Sequence, residues 1–195
     1  MTRAYFNASG LEVRKVADGV PVLVGYAVRW DKLSVRIAGT FREKVQRGAF
    51  TKSLKENDIR ALWNHDSSAV LGSTAAGTMR AKEDSQGLHF EIDLPDTSWG
   101  RDAAVSVSRG DVTGVSFGFN ARGQVWDESD PRNIIRTLTD VDLKEISPTP
   151  FPAYPQSTIS ARSISDDYTD YLKSINQNSN SGALILCRRR KLNLL

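Results

Sequence analysis

Gly114-Val115-Ser116-Phe117-Gly118-Phe119 alternates large apolar side chains (Val115, Phe117, Phe119) with a lone serine and glycines. That is the two-residue period of a strand with one bulky face. Ser116 therefore lies on the other face, with Gly114 and Gly118 two residues away on either side of it. The backbone flanking the hydroxyl carries no side chain, so another group can come close, whether a substrate or a neighbouring strand. A serine in a strand is ordinarily a satisfied structural hydroxyl. A chemical role for Ser116 needs partners elsewhere in the chain.

Moving outward, Asp96-Thr97-Ser98 reads as a helix start, and Ala103, Ala104 and Val107 recur at helical spacing before Gly110. On the other side the Ser116 strand runs towards Trp126, and residues 127–133 form a charged turn around Pro131. Two further strands are expected at residues 134–138 and 141–146. Pro148, Pro150, Pro152 and Pro155 then keep the chain extended. Upstream, residues 72–82 and 88–94 read as a hairpin around the polar turn 83–87, whose Gly87 closes it. Residues 59–64 form an apolar strand that runs directly into His65-Asp66. Phe50 and Leu54 mark a short amphipathic helix over 48–55, ended by Asn57-Asp58. Residues 41–45 and 20–30 complete the strands, the latter with a central Gly25 where a strand bends. The fold class that results is α+β and mainly β, with few helices.

At 195 residues the chain suits one domain and a tail. The division expected is a main domain over 1–163 and a flexible tail over 164–195, where a polar linker (176–182) leads to a basic cluster. The formal charge of +3 comes from that cluster: 26 basic residues less Arg188, Arg189, Arg190 and Lys191 leave 22 against 23 acidic ones. A body without a cationic face gives no support to nucleic acid as a partner. No apolar run is long enough to span a bilayer and the first residues lack a signal-peptide core, so no membrane is expected and the cytoplasm is. The single cysteine, Cys187, excludes an internal disulfide and a multi-thiolate metal site.

Acyl transfer by a serine needs a base for the hydroxyl proton and a third group that holds the base in its tautomer. Only His65 and His89 are available. His65 ends an apolar strand, at an edge where an imidazole can reach a cleft; alone it reads more readily as a polar residue closing that strand. His89 sits mid-strand, alternating with Glu91 and Asp93. That row could also be taken as metal ligands, although a solvated polar strand face has the same pattern. For the third group Glu145, Asp66, Asp140 and Asp142 compete. Glu145 differs in having the apolar neighbours Leu143 and Ile146 in a strand, where a carboxylate is either paired or at a cleft edge.

Three blocks in order carry a resemblance: Ala61-Leu62-Trp63-Asn64-His65-Asp66, the Ser116 strand, and Leu143-Lys144-Glu145-Ile146-Ser147 with Pro152-Ala153-Tyr154 behind it. Their spacing, 51 residues from His65 to Ser116 and 29 from Ser116 to Glu145, agrees as well. Over about residues 1–162 the chain resembles the prohead maturation proteases of tailed bacteriophages. The resemblance implies a closed β-barrel wrapped by a few helices, similar to the herpesvirus assembly proteases. It also implies a serine endopeptidase with Ser116 as nucleophile, His65 as general base and Glu145 as orienting acid, and with no metal or cofactor. Its partners would be the major capsid protein, whose scaffold region it removes, and itself as a substrate. A homo-oligomer is left open. The enzyme would work inside the prohead in the host cytoplasm, activated on assembly, and be absent from the mature virion. Two other classes compete: a non-enzymatic β-barrel scaffolding or interaction module, and a metal-dependent hydrolase built on His89, Glu91 and Asp93, with His65 as a further candidate ligand.

Overall fold

The alternation around Ser116 forms a strand, one of ten among the residues that the computed structural model describes. These are 2–6, 11–15 and 21–150, with only the backbone of 2–6 and of Lys15. In chain order the elements are β1 (Thr2–Phe6), β2 (Glu12–Lys15), β3 (Pro21–Arg29), β4 (Phe41–Val45), α1 (Ser53–Glu56), β5 (Arg60–Trp63), β6 (Asp66–Ser73), β7 (Met79–Glu83), β8 (Gly87–Asp93), α2 (Ser98–Ser108), β9 (Gly114–Asp127) and β10 (Ile134–Thr149). The expected tail at 164–195, the boundary at 163 and the Pro-Ala-Tyr segment lie outside the described residues.

The strands form two sheets. The larger runs β1-β9-β10-β5-β6 with β4 also paired to β10, and the smaller runs β2-β3-β8-β7. The closed barrel is therefore not found: among the described residues neither sheet bonds its own edges together, which closure requires. The two sheets instead bury facing apolar sides. Val115, Phe117 and Phe119 of β9 lie in one core with Leu23 of β3 and Leu88, Phe90 and Ile92 of β8. Phe50 packs edge-on against Phe117 at 5.7 Å between ring centroids, a favourable aromatic geometry.

β10 is the centre of the larger sheet. The two strands expected at 134–138 and 141–146 are one strand of 16 residues. The break expected at Thr139-Asp140 is absorbed by register shifts against β9 at Leu138/Asp140, Asp140/Val141 and Leu143/Glu145. On its other side β10 pairs in parallel first with β4 (Ile134–Leu138) and then with β5 (Glu145–Ile146). The gap between those partners is filled by the chain around α1. Val141 N–H donates to the Ala49 carbonyl (2.8 Å), and the buried Ser53 hydroxyl donates to the Val141 carbonyl and accepts from Leu143 N–H (3.2 Å). Asn57 Nδ2 donates to the Leu143 carbonyl (2.8 Å), so the backbone groups at Val141 and Leu143 are satisfied without a strand.

Two further expectations change. The hairpin arm expected at 72–82 begins only at Met79, because residues 66–73 are a separate strand, β6, in the other sheet. The irregularity expected at Gly25 falls just beyond it, between Tyr26 and Val28. Gly25 itself permits close packing, since a Cβ there would stand 3.1 Å from the Phe90 ring. α2 starts as expected, with Thr97 Oγ1 accepting from Gly100 N–H (3.2 Å). No helix among the described residues is long and apolar enough to cross a membrane.

A candidate catalytic site on the face of β9 and β10

The pairing of β9 with β10 sorts the side chains near Ser116. Ser116 is opposite Ser147, Gly118 opposite Glu145 and Gly114 opposite Thr149, while Val115 faces Pro148 and Phe117 faces Ile146. Residues directly opposite in an antiparallel pair share a face, with Cβ atoms about 5 Å apart. One face is therefore apolar and turned to the core. The other carries Ser116, Ser147, Glu145 and Thr149, and the two glycines leave the space beside Ser116 and Glu145 free of β9 side chains. Ser116, Ser147 and Glu145 are all buried.

His65 reaches this face from the link between β5 and β6. Trp63 pairs with Asp66, so Asn64 and His65 are the two central residues of a tight hairpin turn. Their φ angles are +50° and +63°. Positive φ at both central positions is the mark of the type I′ turn, whose twist suits a hairpin. Asn and His enter this region more readily than most residues, but a side chain there still costs about 1–2 kcal/mol. Four contacts, all to the end of β10, hold the turn. Asn64 N–H donates to the Pro148 carbonyl (3.0 Å) and Thr149 Oγ1 donates to Asn64 Oδ1 (2.8 Å). His65 N–H donates to Ser147 Oγ (3.3 Å), and His65 Nδ1 lies 2.6 Å from Glu145 Oε1. Pro148 can lie within the strand because its missing N–H is on the same side as that carbonyl, where the ladder to β5 has already ended at Ile146.

The His65–Glu145 contact is shielded, the side chains being 9% and 4% exposed. Ser147 Oγ donates to the other carboxylate oxygen, Glu145 Oε2, at 2.5 Å. A carboxylate can only accept, so Nδ1 carries the proton in this contact and the lone pair of the neutral ring is at Nε2.

Two of the competing carboxylates, Asp66 and Asp142, are engaged elsewhere. Asp66 is exposed and accepts from Ser68 N–H (2.8 Å) and Ser68 Oγ (2.6 Å), which hold it below the usual carboxylate range. Asp142 faces Asn57 (2.7 Å), Arg122 (3.0 Å) and Lys144 (3.0 Å). Burial alone would raise its pKa, but donation by Asn57, Lys144 and Asn120 outweighs this and holds it low. Asp140 sits at a bulge opposite Gly123.

His89 belongs to the other sheet, opposite Tyr26 and Lys82, with its ring edge-on to Tyr26 at 5.1 Å. In the row it forms with Glu91 and Asp93, both carboxylates are taken by Arg80: Nε lies 3.3 Å from Glu91 and the two Nη atoms 2.8 and 2.7 Å from Asp93. Among the described residues no three His, Cys, Asp or Glu side chains converge as a metal site would require.

Sequence reasoning gave Ser147, Thr149 and Asn64 no role. The signal was present, since Glu145-x-Ser147-x-Thr149 has the same two-residue period as Gly114-x-Ser116-x-Gly118. Two strands with polar faces of matching period, joined in register, make one polar surface.

A serine and a carboxylate on one sheet face, with an imidazole against that carboxylate, are the groups that acyl transfer by a serine uses. The chain belongs to the caudovirus prohead serine protease family, whose sequence profile matches residues 9–170. It is thus a protease of capsid maturation. Among solved structures it is similar to the bacteriophage T4 capsid assembly protease gp21, at 10% identity and a TM-score of 0.49, over 76% of this chain and 96% of that one. No curated protein matches it.

Proposed function

We propose that the chain is a serine endopeptidase in which Ser116 is the nucleophile, His65 the general base and Glu145 the carboxylate that orients the imidazole. The observation that carries this reading is the buried 2.6 Å contact between His65 Nδ1 and Glu145 Oε1, directly beside the strand pair that holds Ser116. With Nδ1–H committed to Glu145, Nε2 takes the Ser116 proton as Oγ attacks the scissile carbonyl. Nε2–H then passes that proton to the leaving amine. Water, deprotonated by the same nitrogen, releases the acyl group from Ser116 Oγ. Glu145 stabilises the imidazolium in both halves of the reaction.

The substrate is the scaffold region of the cognate capsid protein, and the protease also cuts itself, working inside the prohead and leaving as fragments. Ser116 is fully buried. A scissile carbonyl reaches its hydroxyl only after access opens, which suits an enzyme whose activity is confined to an assembled particle.

The test is co-expression of the capsid protein with the wild-type chain or with Ser116→Ala. Deleting one hydroxyl leaves the packing nearly unchanged, whereas losing the nucleophile lowers the rate by about 10⁶. Capsid protein should stay untrimmed beside the variant. Trimming that persists would overturn the assignment and favour a non-enzymatic role for the site.

A further inference from the structure

We propose that Ser147 is a positioning residue for this reaction, its buried hydroxyl tying the Glu145 carboxylate to the His65 backbone. The inference rests on the triad proposed above and adds a member to it. Ser147 Oγ lies 2.5 Å from Glu145 Oε2 and 3.3 Å from His65 N. A hydroxyl has one proton to give and two lone pairs. The carboxylate can only accept and the amide can only donate, so both contacts are fixed in direction: Ser147 donates to Glu145 and accepts from His65.

Two consequences follow. Glu145 has one partner on each oxygen, so its carboxylate is held in the plane that presents Oε1 to His65 Nδ1. His65 is likewise held twice, through its ring by Glu145 and through its amide by Ser147, at a position where φ is +63°. Ser147 is the residue that touches both parts of this arrangement. Although it stands directly opposite Ser116, its proton goes to a carboxylate and not to the imidazole. That separates a positioning hydroxyl from a nucleophile.

The experiment follows capsid-protein trimming over time with the full-length protease co-assembled with the capsid protein, normalised to incorporated protease. Ser147→Ala, Ser147→Cys and Ser147→Thr are compared, with Tm measured for each. Losing one hydrogen bond to a charged group should slow trimming by about 10- to 100-fold in Ser147→Ala. Ser147→Cys, with a weak donor, should be slow as well, and carries the same expectation if the alanine variant does not fold. Ser147→Thr keeps the hydroxyl and should recover most of the rate. Rates that follow the hydroxyl and not Tm support a positioning role. Wild-type rates in the alanine or cysteine variant, or a threonine variant no faster than alanine, overturn it. If Ser147→Ala is fully active while Ser116→Ala and Glu145→Gln are dead, only this inference falls. If Ser116→Ala or Glu145→Gln trims normally, the triad itself falls.

Discussion

Replacing Glu145 by glutamine keeps the shape of the site and removes the one property the mechanism needs from it. In the wild-type protein both carboxylate oxygens accept: Oε1 faces His65 Nδ1 at 2.6 Å and Oε2 faces Ser147 Oγ at 2.5 Å. An amide has only one oxygen. If that oxygen faces Ser147, the NH₂ group faces Nδ1, which must then accept; the ring proton moves to Nε2 and the lone pair that should take the Ser116 proton is gone. If the oxygen faces His65, the tautomer survives but the negative charge that stabilises the developing imidazolium does not. Little solvent screens that charge, since the two side chains are 9% and 4% exposed. Either orientation slows the reaction, and the variant should lose about 10⁴ in rate, or about 5 kcal/mol of transition-state stabilisation, by analogy with the aspartate of the Ser-His-Asp triad. The assay is the time course of capsid-protein trimming in co-assembled particles, with far-UV circular dichroism as the check on folding. A folded Glu145→Gln variant that trims at a rate close to wild type would refute the reasoning.

Other substitutions separate this site from its surroundings. His89→Gln should leave trimming intact, because His89 lies on the other sheet. Burial lowers the pKa of His89, with Lys82 and Arg14 adding to this and Glu91 and Asp84 opposing it. Wild-type stability should therefore fall as the pH drops below the ordinary histidine range, and His89→Gln should flatten that part of a Tm-versus-pH curve. Asp142→Asn should retain activity but lose part of the acid dependence of stability. The depressed pKa of Asp142 contributes stability above the unfolded carboxylate pKa that is lost as pH falls through the folded value, so the two Tm curves should converge in acid. Arg136→Met should destabilise by about 3–5 kcal/mol in urea unfolding, because it takes the Arg136 partner, 3.3 Å away, from the almost fully buried Glu43 carboxylate.

The mainly β character was legible wherever large apolar residues alternate with small or polar ones. Val115, Phe117 and Phe119, and likewise Leu88, Phe90, Ile92 and Leu94, alternate in the sequence and line the core. His65, Ser116 and Glu145 stood out as candidates because each interrupts an apolar strand pattern. Less visible were the features set by pairing. β6 was missed because its turn is Asn64-His65, without the glycine that usually marks a type I′ hairpin, and because residues 66–68 are polar and exposed. β10 was divided because Thr139-Asp140 looks like a break, whereas bulges against β9 carry the strand through it. The buried pair Glu43–Arg136 depends on a register no single stretch encodes: the two residues are directly opposite only because β4 pairs in parallel with β10. The choice among four carboxylates for the third position was similarly a question of tertiary contact, which only the distances to His65 address.

The most direct test of the central claim is to treat co-assembled particles with a small fluorophosphonate and map the modified residue by mass spectrometry. A nucleophilic Ser116 activated by His65 requires one adduct, on the peptide that contains Ser116, absent from Ser116→Ala and strongly reduced in His65→Ala. An adduct on Ser147 or another serine, or labelling that survives His65→Ala undiminished, would contradict it.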